Sequence, residues 1–235
     1  MDRHTEENPE ARSESALRAL EATVGALLDP PGCEWNRAQT HASLVTYLVE
    51  ETFELVEAIE DGTSADLREE LGDVLYQVVL HAAIAERAGE GFRLADVIEQ
   101  VDEKIRRRHP HVFGDDAAAD VDDIVRLWSA AKALEKKSRE SAFDGVPVGL
   151  PALARAQKIA ARAERLPDRG DESAGSRPAP PTEMLDAPET EADWGRWLLS
   201  RVDEASARGW DAERALRTAV REREDALRRA EQDAG

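Results

Sequence analysis

Residues 38–67 carry a concentration of negative charge that no positive side chain balances. The acidic residues in this stretch, which contains no Lys or Arg, are Glu50, Glu51, Glu54, Glu57, Glu60, Asp61 and Asp66. Ordinary solvated helices mix the two signs, because a Glu and a Lys three or four residues apart support each other. Carboxylates without such partners repel one another, so the stretch indicates a helix that needs an added positive charge.

Two carboxylate pairs with the same spacing suggest what that positive charge is. Glu51 and Glu54 form one pair, and Glu70 and Asp73 form the other. Residues three apart project from one helical face, so two adjacent helices could direct four hard oxygen donors at one ion. Such donors suit Mg²⁺, with Mn²⁺ as a possible substitute. For either pair alone, a solvated acidic face is the alternative.

Apolar residues recur at helical spacing along most of the chain and predict an all-α fold. Aromatic residues make up only 5% of the chain and charged residues 34%, which favours helices over a sheet. A first helix should end before Pro30, and Ser64 should cap the third helix, with Asp66 in its first turn. The other helices are expected at about 43–61, 64–88, 94–108, 122–138, 151–165, 191–208 and 211–232.

Composition divides the chain into four parts. We expect a flexible N-terminus at 1–13, a domain at 14–165, a linker rich in Pro, Gly, Asp and Ser at 166–190, and a short helical segment at 191–235. The last segment can be aligned with the region from Gly72 as a weak repeat, in which Asp193 replaces Glu70 and Arg196 replaces Asp73. Two unrelated amphipathic helices explain the same similarity equally well.

The overall charge limits the partners. A formal charge of −19 argues against binding to a nucleic acid polymer or an anionic membrane, either of which requires a broad basic surface. The N-terminus has no apolar signal region and no run of about 18 apolar residues occurs, so we expect a soluble cytoplasmic protein. A small anionic ligand is still compatible with the negative net charge, because a metal ion and a local basic cluster together can make the potential within one pocket positive.

A basic segment between residues 104 and 111 is the candidate for that cluster. Its cationic or titratable members are Lys104, Arg106, Arg107, Arg108, His109 and His111. Arginine forks suit the oxygens of a polyphosphate, and Lys104, Arg107 and Arg108 should lie near one helical face. The alternative is that these charges only complement the helix dipole.

Trp35 and His41 bound a short polar loop that could bind a nucleobase. The loop offers an aromatic surface with hydrogen-bonding neighbours. A Trp that caps the core is the alternative. His81 is expected to be a core histidine, and Trp128 and Lys132 to belong to a packed, solvated helix. Phosphate loops, dinucleotide-binding glycine motifs and zinc spacings are absent from the sequence.

Taken together, these motifs resemble the MazG family of nucleoside triphosphate pyrophosphohydrolases. The resemblance covers about residues 15–165 and rests on the segments Cys33–Leu44, Tyr47–Ile59, Leu67–Ala82, Lys104–Gly114, Trp128–Lys136 and Asp144–Ile159. It implies an all-α helical bundle of the MazG-like NTP pyrophosphatase type, completed by assembly into a homodimer or higher oligomer. It also implies a Mg²⁺-dependent, broad-specificity reaction, NTP + H₂O → NMP + PPi, that maintains the nucleotide pool.

The resemblance assigns roles to individual residues. Its metal ligands fall on Glu51, Glu54, Glu70 and Asp73. Glu50 or Glu57 would be the base or would orient the ligands, and Lys104, Arg107 and Arg108 would neutralise the pyrophosphate leaving group. Trp35, His41 and His111 complete the expected substrate contacts. Longer members carry a second module, of which residues 191–235 would be a degenerate remnant without metal ligands.

Two other functions remain open at this point. One is a narrower enzyme that removes a single noncanonical or pyrimidine (d)NTP. The other is a helical protein without catalytic activity that binds protein partners, which the altered C-terminal segment favours and the complete first-half signature opposes.

Overall fold

The computed structural model describes residues 8–135, 141, 143–164 and 188–234. These residues form helices and connecting turns without a strand, which confirms the all-α prediction. No helix in these ranges is long and apolar enough to cross a membrane. The helices are α1 (Pro9–Leu28), α2 (Glu34–Arg37), α3 (Val45–Glu60), α4 (Ser64–Ala88), α5 (Leu94–Arg108), α6 (Pro110–Phe113), α7 (Val121–Leu134), α8 (Ala152–Ala163), α9 (Glu191–Ala207) and α10 (Ala212–Ala234).

Helix α1 begins earlier than the composition predicts. Asn8 caps it by accepting a hydrogen bond from the Glu10 backbone N–H, and Pro9 occupies the first helical position, where its missing N–H costs nothing. Residues 9–13 are therefore helical, although the sequence analysis assigned them to a flexible end. Residues 1–7 lie outside the described residues. The four-residue helices α2 and α6 were also not predicted, because one turn leaves no periodic pattern to detect.

The cap of α4 is Thr63 rather than Ser64. The Thr63 hydroxyl accepts hydrogen bonds from the backbone N–H groups of Ala65 and Asp66, and the Asp66 carboxylate accepts the Thr63 N–H at 2.7 Å. This reciprocal capping box makes Ser64 the first residue of the helix rather than its cap. The backbone N–H of Thr63, followed by its hydroxyl, also lowers the pKa of Asp66.

The chain divides after Glu135 into two compact units. In the first unit, α1 and the C-terminal half of α4 enclose a core that the first residue of α5 completes. Its buried members are Val24, Leu28, Leu44, Val79, Leu80, Ala82 and Leu94. This core fixes one end of α4 and leaves the N-terminal half of α4 to pack against α3.

Helices α3 and α4 form a tight hairpin around Gly62. A Cβ atom at Gly62 would lie 2.7 Å from both the Cα and the carbonyl oxygen of Ala58, so only glycine fits there. The close turn sets the acidic face of α3 beside the first turns of α4. Three apolar residues of α3 at helical spacing, Val45, Val49 and Phe53, remain exposed.

The second unit contains α8, α9 and α10. Gln157 on α8 donates to the Trp210 carbonyl at 2.7 Å and accepts the Ala212 N–H at 2.9 Å, which ties α8 to the α9–α10 turn. The first domain predicted from the sequence, at 14–165, includes α8. Of the expected linker at 166–190, residues 166–187 lie outside the described residues. The extent of the functional domain stays a prediction.

We predict that Thr63→Ala lowers the free energy of unfolding by about 1 kcal/mol, because it removes the hydroxyl that caps α4. Ser64→Ala is the matched control and should change stability by less than about 0.5 kcal/mol. Urea denaturation followed by circular dichroism measures both. A larger loss of unfolding free energy in the Ser64 variant than in the Thr63 variant would show that Ser64 caps the helix, as the sequence pattern predicts.

Candidate active site

The α3–α4 hairpin brings the predicted metal ligands together. Oxygen atoms of Glu51, Glu70 and Asp73 all lie within 4.8 Å of one another. Glu54, the fourth predicted ligand, is hydrogen-bonded to Glu51, and its charge acts on both Glu51 and Glu70. These four residues are named the acidic cluster below.

The acidic cluster is electrostatically strained without a cation. Burial, followed by the charges of Asp73 and Glu54, raises the pKa of Glu51. Burial, followed by the charges of Glu54 and Asp73, raises the pKa of Glu70. The Oε2 atom of Glu70 is buried without a hydrogen-bond partner. An orphaned carboxylate oxygen beside two other carboxylates fits a hard divalent cation, because these are the ligands such ions prefer.

A cleft of about 400 Å³ opens beside the acidic cluster, at the hairpin turn. Its lining residues are Glu54, Glu57, Ala58, Asp61, Gly62, Asp66 and Glu70. All the charged side chains in that lining are carboxylates, so an anionic substrate would be repelled unless cations accompany it. Glu57 faces this cleft, whereas Glu50 is exposed and is not part of the lining.

The basic segment lies at the C-terminal end of α5 and contacts α7. Arg107 and Arg108 both pair with Glu135, the residue that follows α7, at 2.9 and 2.6 Å. Neither arginine forms an ion pair with the acidic cluster within the described residues. Lys104 is exposed on α5, and Nδ1 of His111 is buried without a partner.

The loop from Trp35 to His41, which is predicted to bind a nucleobase, lies at the end of the α3–α4 hairpin that is remote from the Gly62 turn. Trp35 on α2 is exposed and meets the Tyr47 ring edge-on at 5.5 Å. Asn36 accepts a hydrogen bond from Tyr76 on α4 at 3.1 Å, which fixes α2 to α4. His41 lies against His81, which is eight residues beyond Asp73 and therefore about 12 Å further along the axis of α4.

Two features of the site were not recognised in the sequence. The imidazoles of His41 and His81 are stacked with 4.9 Å between centroids and 2.6 Å between their Nδ1 atoms, and His41 Nε2 lies 3.2 Å from the Glu90 carboxylate. Burial, followed by the charge of His41, lowers the pKa of His81. The other feature is the pairing of Glu135 with the basic segment. Both join residues at least 27 positions apart, so no local spacing shows them.

A helical hairpin that brings four carboxylates together is typical of the class of helical proteins that bind a divalent cation. Comparisons with known proteins identify the family. The model of the MazG nucleotide pyrophosphohydrolase domain matches residues 39–113. The nucleoside triphosphate pyrophosphohydrolase/pyrophosphatase MazG of Thermotoga maritima is 39% identical over 86% of this chain and 80% of its own length.

The chain is also similar to other proteins. The uncharacterised 26.1 kDa protein in the blaB 3′ region of Streptomyces cacaoi is 46% identical over 85% of this chain and 76% of its own length. The nucleoside triphosphate pyrophosphohydrolase of Escherichia coli K12 is 43% identical, and the match spans only 52% of that relative. The crystal structure of a mazG-related protein from Thermotoga maritima aligns with 51% of this chain and 98% of its own at 30% identity, with a TM-score of 0.41.

The chain belongs to the MazG family of nucleoside triphosphate pyrophosphohydrolases, which are hydrolases acting on phosphoric anhydrides. The family resemblance stated from the sequence motifs is thereby confirmed, as is the enzyme class.

We predict that Glu70→Gln stabilises the metal-free protein at neutral pH. The folded protein binds protons more tightly at Glu51 and Glu70 than the unfolded chain does. These groups therefore favour folding below the ordinary glutamate pKa of about 4.3 and lose that contribution as the pH rises through their raised values. In the presence of a chelator, the Tm of the Glu70 variant should exceed that of wild type, and the difference should grow from pH 4 to pH 7.

Added Mg²⁺ should raise the Tm of wild type at pH 7 and have little effect on the Glu70 variant, because a ligand that binds only the folded state stabilises it. Glu86→Gln, on the exposed far part of the same helix, is the control and should keep the Mg²⁺ response. An undiminished response in the Glu70 variant would remove Glu70 from the cation site.

Proposed function

We propose that this protein is a Mg²⁺-dependent enzyme that converts a nucleoside triphosphate and water into the monophosphate and pyrophosphate. It would act on a broad range of nucleotides in the cytoplasm, with Mn²⁺ as a substitute cation. The acidic cluster is the observation that carries the proposal, since three of its carboxylates converge within 4.8 Å and one buried oxygen lacks a partner. Family membership supplies the substrate class.

Glu51, Glu54, Glu70 and Asp73 would hold the cation. When bound, a divalent cation in such a site neutralises phosphate charge and activates water. A cation held there would also reduce the repulsion between an anionic substrate and a cleft lined by carboxylates.

Glu57 is the better of the two proposed bases. Its side chain lines the cleft one turn from Glu54, where it can accept a proton from the attacking water at a carboxylate oxygen. Glu50 is not part of that lining, so its proposed role is limited to orienting the neighbouring ligand Glu51.

Lys104, Arg107 and Arg108 would bind the polyphosphate and neutralise the charge that develops on pyrophosphate as it leaves. Trp35, His41 and His111 would contact the rest of the nucleotide. Trp35 is half exposed and held in place by the neighbouring Asn36–Tyr76 hydrogen bond, which supports a stacking role.

We also propose that two or more copies assemble through α3, α4 and α5. Each of these helices exposes apolar residues at helical spacing, a pattern that monomers usually bury. The exposed apolar residues are Val45, Val49 and Phe53 on α3, Leu71, Leu75 and Val78 on α4, and Ile98, Val101 and Ile105 on α5.

Residues 14–165 are proposed as the catalytic domain, and 191–235 as a shortened copy without metal ligands. Asp193 supports the absence of metal ligands from the shortened copy. Its carboxylate accepts hydrogen bonds from Thr190 and Arg196, so its negative charge is already paired with a cation. The hydrogen bonds from Thr190 and Arg196 lower the pKa of Asp193.

We predict that Glu54→Gln reduces kcat for pyrophosphate release by about a hundredfold or more, because it removes a cation ligand. Glu57→Gln should lose a similar amount through loss of the base, while keeping the Mg²⁺-induced rise in Tm that the Glu54 variant loses. Product analysis of ATP and dNTPs must separate pyrophosphate from inorganic phosphate. Wild-type turnover in the Glu54 variant would exclude the acidic cluster from the reaction.

We predict that Leu75→Glu shifts the protein from an oligomer to the 25.9 kDa monomer, because it places a charge in the apolar surface of α4. Val148→Glu, at an exposed apolar residue of the second unit, is the control and should leave the oligomer intact. Sedimentation equilibrium gives both masses. A wild-type mass equal to one chain at micromolar concentration would contradict the proposed assembly.

A further inference from the structure

Glu135 makes an unusual double contact with the basic segment. Adjacent residues on a helix point about 100° apart, yet the side chains of Arg107 and Arg108 converge on this one carboxylate. Arg107 donates from Nε to Oε1 at 2.9 Å, and its Nη2 lies 2.9 Å from the same oxygen. Arg108 donates to Oε2 from Nε at 3.1 Å and from Nη2 at 2.6 Å. Each arginine thus contacts a different oxygen of the Glu135 carboxylate.

The contacts hold the Nε–Nη2 edge of each guanidinium, and no hydrogen bond or ion pair of either Nη1 occurs within the described residues. A guanidinium carries its donors in a fixed plane, so fixing the Nε–Nη2 edge also fixes the direction of Nη1. The Arg108 guanidinium is further held by Trp128, whose ring centroid lies 5.8 Å away. Arg108 keeps 19% of its side-chain exposure and Arg107 keeps 54%.

The charge balance of the three residues stays positive. Glu135 is ionised at any pH at which the enzyme would work, because the hydrogen bond from Arg108 foremost, together with that from Arg107, lowers its pKa to about 2. Two guanidiniums and one carboxylate leave a net charge of +1. Without the carboxylate, the two cations would repel each other and separate into solvent. The Glu135 carboxylate therefore weakens the attraction for an anion, but it fixes the geometry of the two guanidiniums.

We propose that Glu135 is a positioning residue that aligns Arg107 and Arg108 on the polyphosphate of the nucleotide. Preformed donors bind an anion better than mobile ones, because ordering two arginine side chains on binding would cost free energy. The inference rests on the proposed function. It deepens that function by explaining how α7 contributes to a phosphate site on α5.

The test is steady-state kinetics of pyrophosphate release together with inhibition by added pyrophosphate. Glu135→Gln keeps the size of the side chain but offers one oxygen in place of two. It should raise the KM for nucleotide and the inhibition constant of pyrophosphate in parallel, each by about tenfold, as expected for losing one charged hydrogen bond. Glu135→Asp, which keeps both oxygens and the charge, should recover part of the loss.

Asp102→Asn is the matched control. Asp102 pairs with Arg106 at 2.8 Å on the same helix, so the variant also removes a carboxylate from an arginine, but from one outside the proposed contacts. It should leave KM and the inhibition constant unchanged.

Combining Glu135→Gln with Arg107→Ala shows whether Glu135 acts through the arginine. The two effects should be less than additive if it does, and additive if Glu135 only stabilises the fold. The Mg²⁺-induced rise in Tm should be unchanged in every Glu135 variant, since the acidic cluster is untouched. Should Glu135→Gln not fold, the Glu135→Asp variant alone must still show a raised inhibition constant for pyrophosphate.

The outcomes separate this inference from the function on which it rests. A wild-type protein that releases no pyrophosphate overturns the proposed function itself. Wild-type turnover with unchanged constants in both Glu135 variants overturns the inference alone. A lower KM in Glu135→Gln also overturns it, because the carboxylate would then be competing with phosphate for the arginines.

Discussion

Repulsion among the four carboxylates of the acidic cluster is the constraint on which the rest of this structure depends. The hairpin turn at Gly62 brings α3 and α4 close enough that Glu51, Glu70 and Asp73 share a space smaller than 5 Å. Like charges at that separation repel one another, and burial, followed by the charges of the neighbouring carboxylates, raises the pKa values of Glu51 and Glu70. A fold that contains this arrangement must supply the compensating free energy elsewhere.

The fold separates the source of stability from the site. Buried apolar side chains are concentrated between α1 and the C-terminal half of α4, whereas Glu70 and Asp73 lie in the N-terminal half of α4 and Glu51 and Glu54 lie on α3. The capping box at Thr63 anchors the helix start next to the site without using any of the four ligands. Repulsion among the carboxylates can therefore persist, because the core that holds α4 begins about two helical turns away.

Much of this organisation could be predicted from local sequence pattern. The bounds of α4 and α5 agree with the predicted 64–88 and 94–108, since long amphipathic segments with clear end signals determine their own limits. The i, i+3 spacing predicted that each carboxylate pair lies on one helical face, and the short turn predicted that the two helices are neighbours. One-turn helices such as α2, and the start of α1 at Pro9, could not be predicted equally well, because caps and single turns depend on a few contacts.

Taken by itself, the sequence determined the helical class and predicted the four carboxylates, because both follow from spacing within one helix or between helices joined by a short turn. The family followed from the resemblance of several motifs. The tertiary structure alone decided which distant side chains meet. It joined His41 to His81 across 40 residues, and it brought Glu135 to Arg107 and Arg108 across 27 or 28. The physical reason is that a helix sets the directions of its own side chains, whereas a contact between helices depends on how their faces pack.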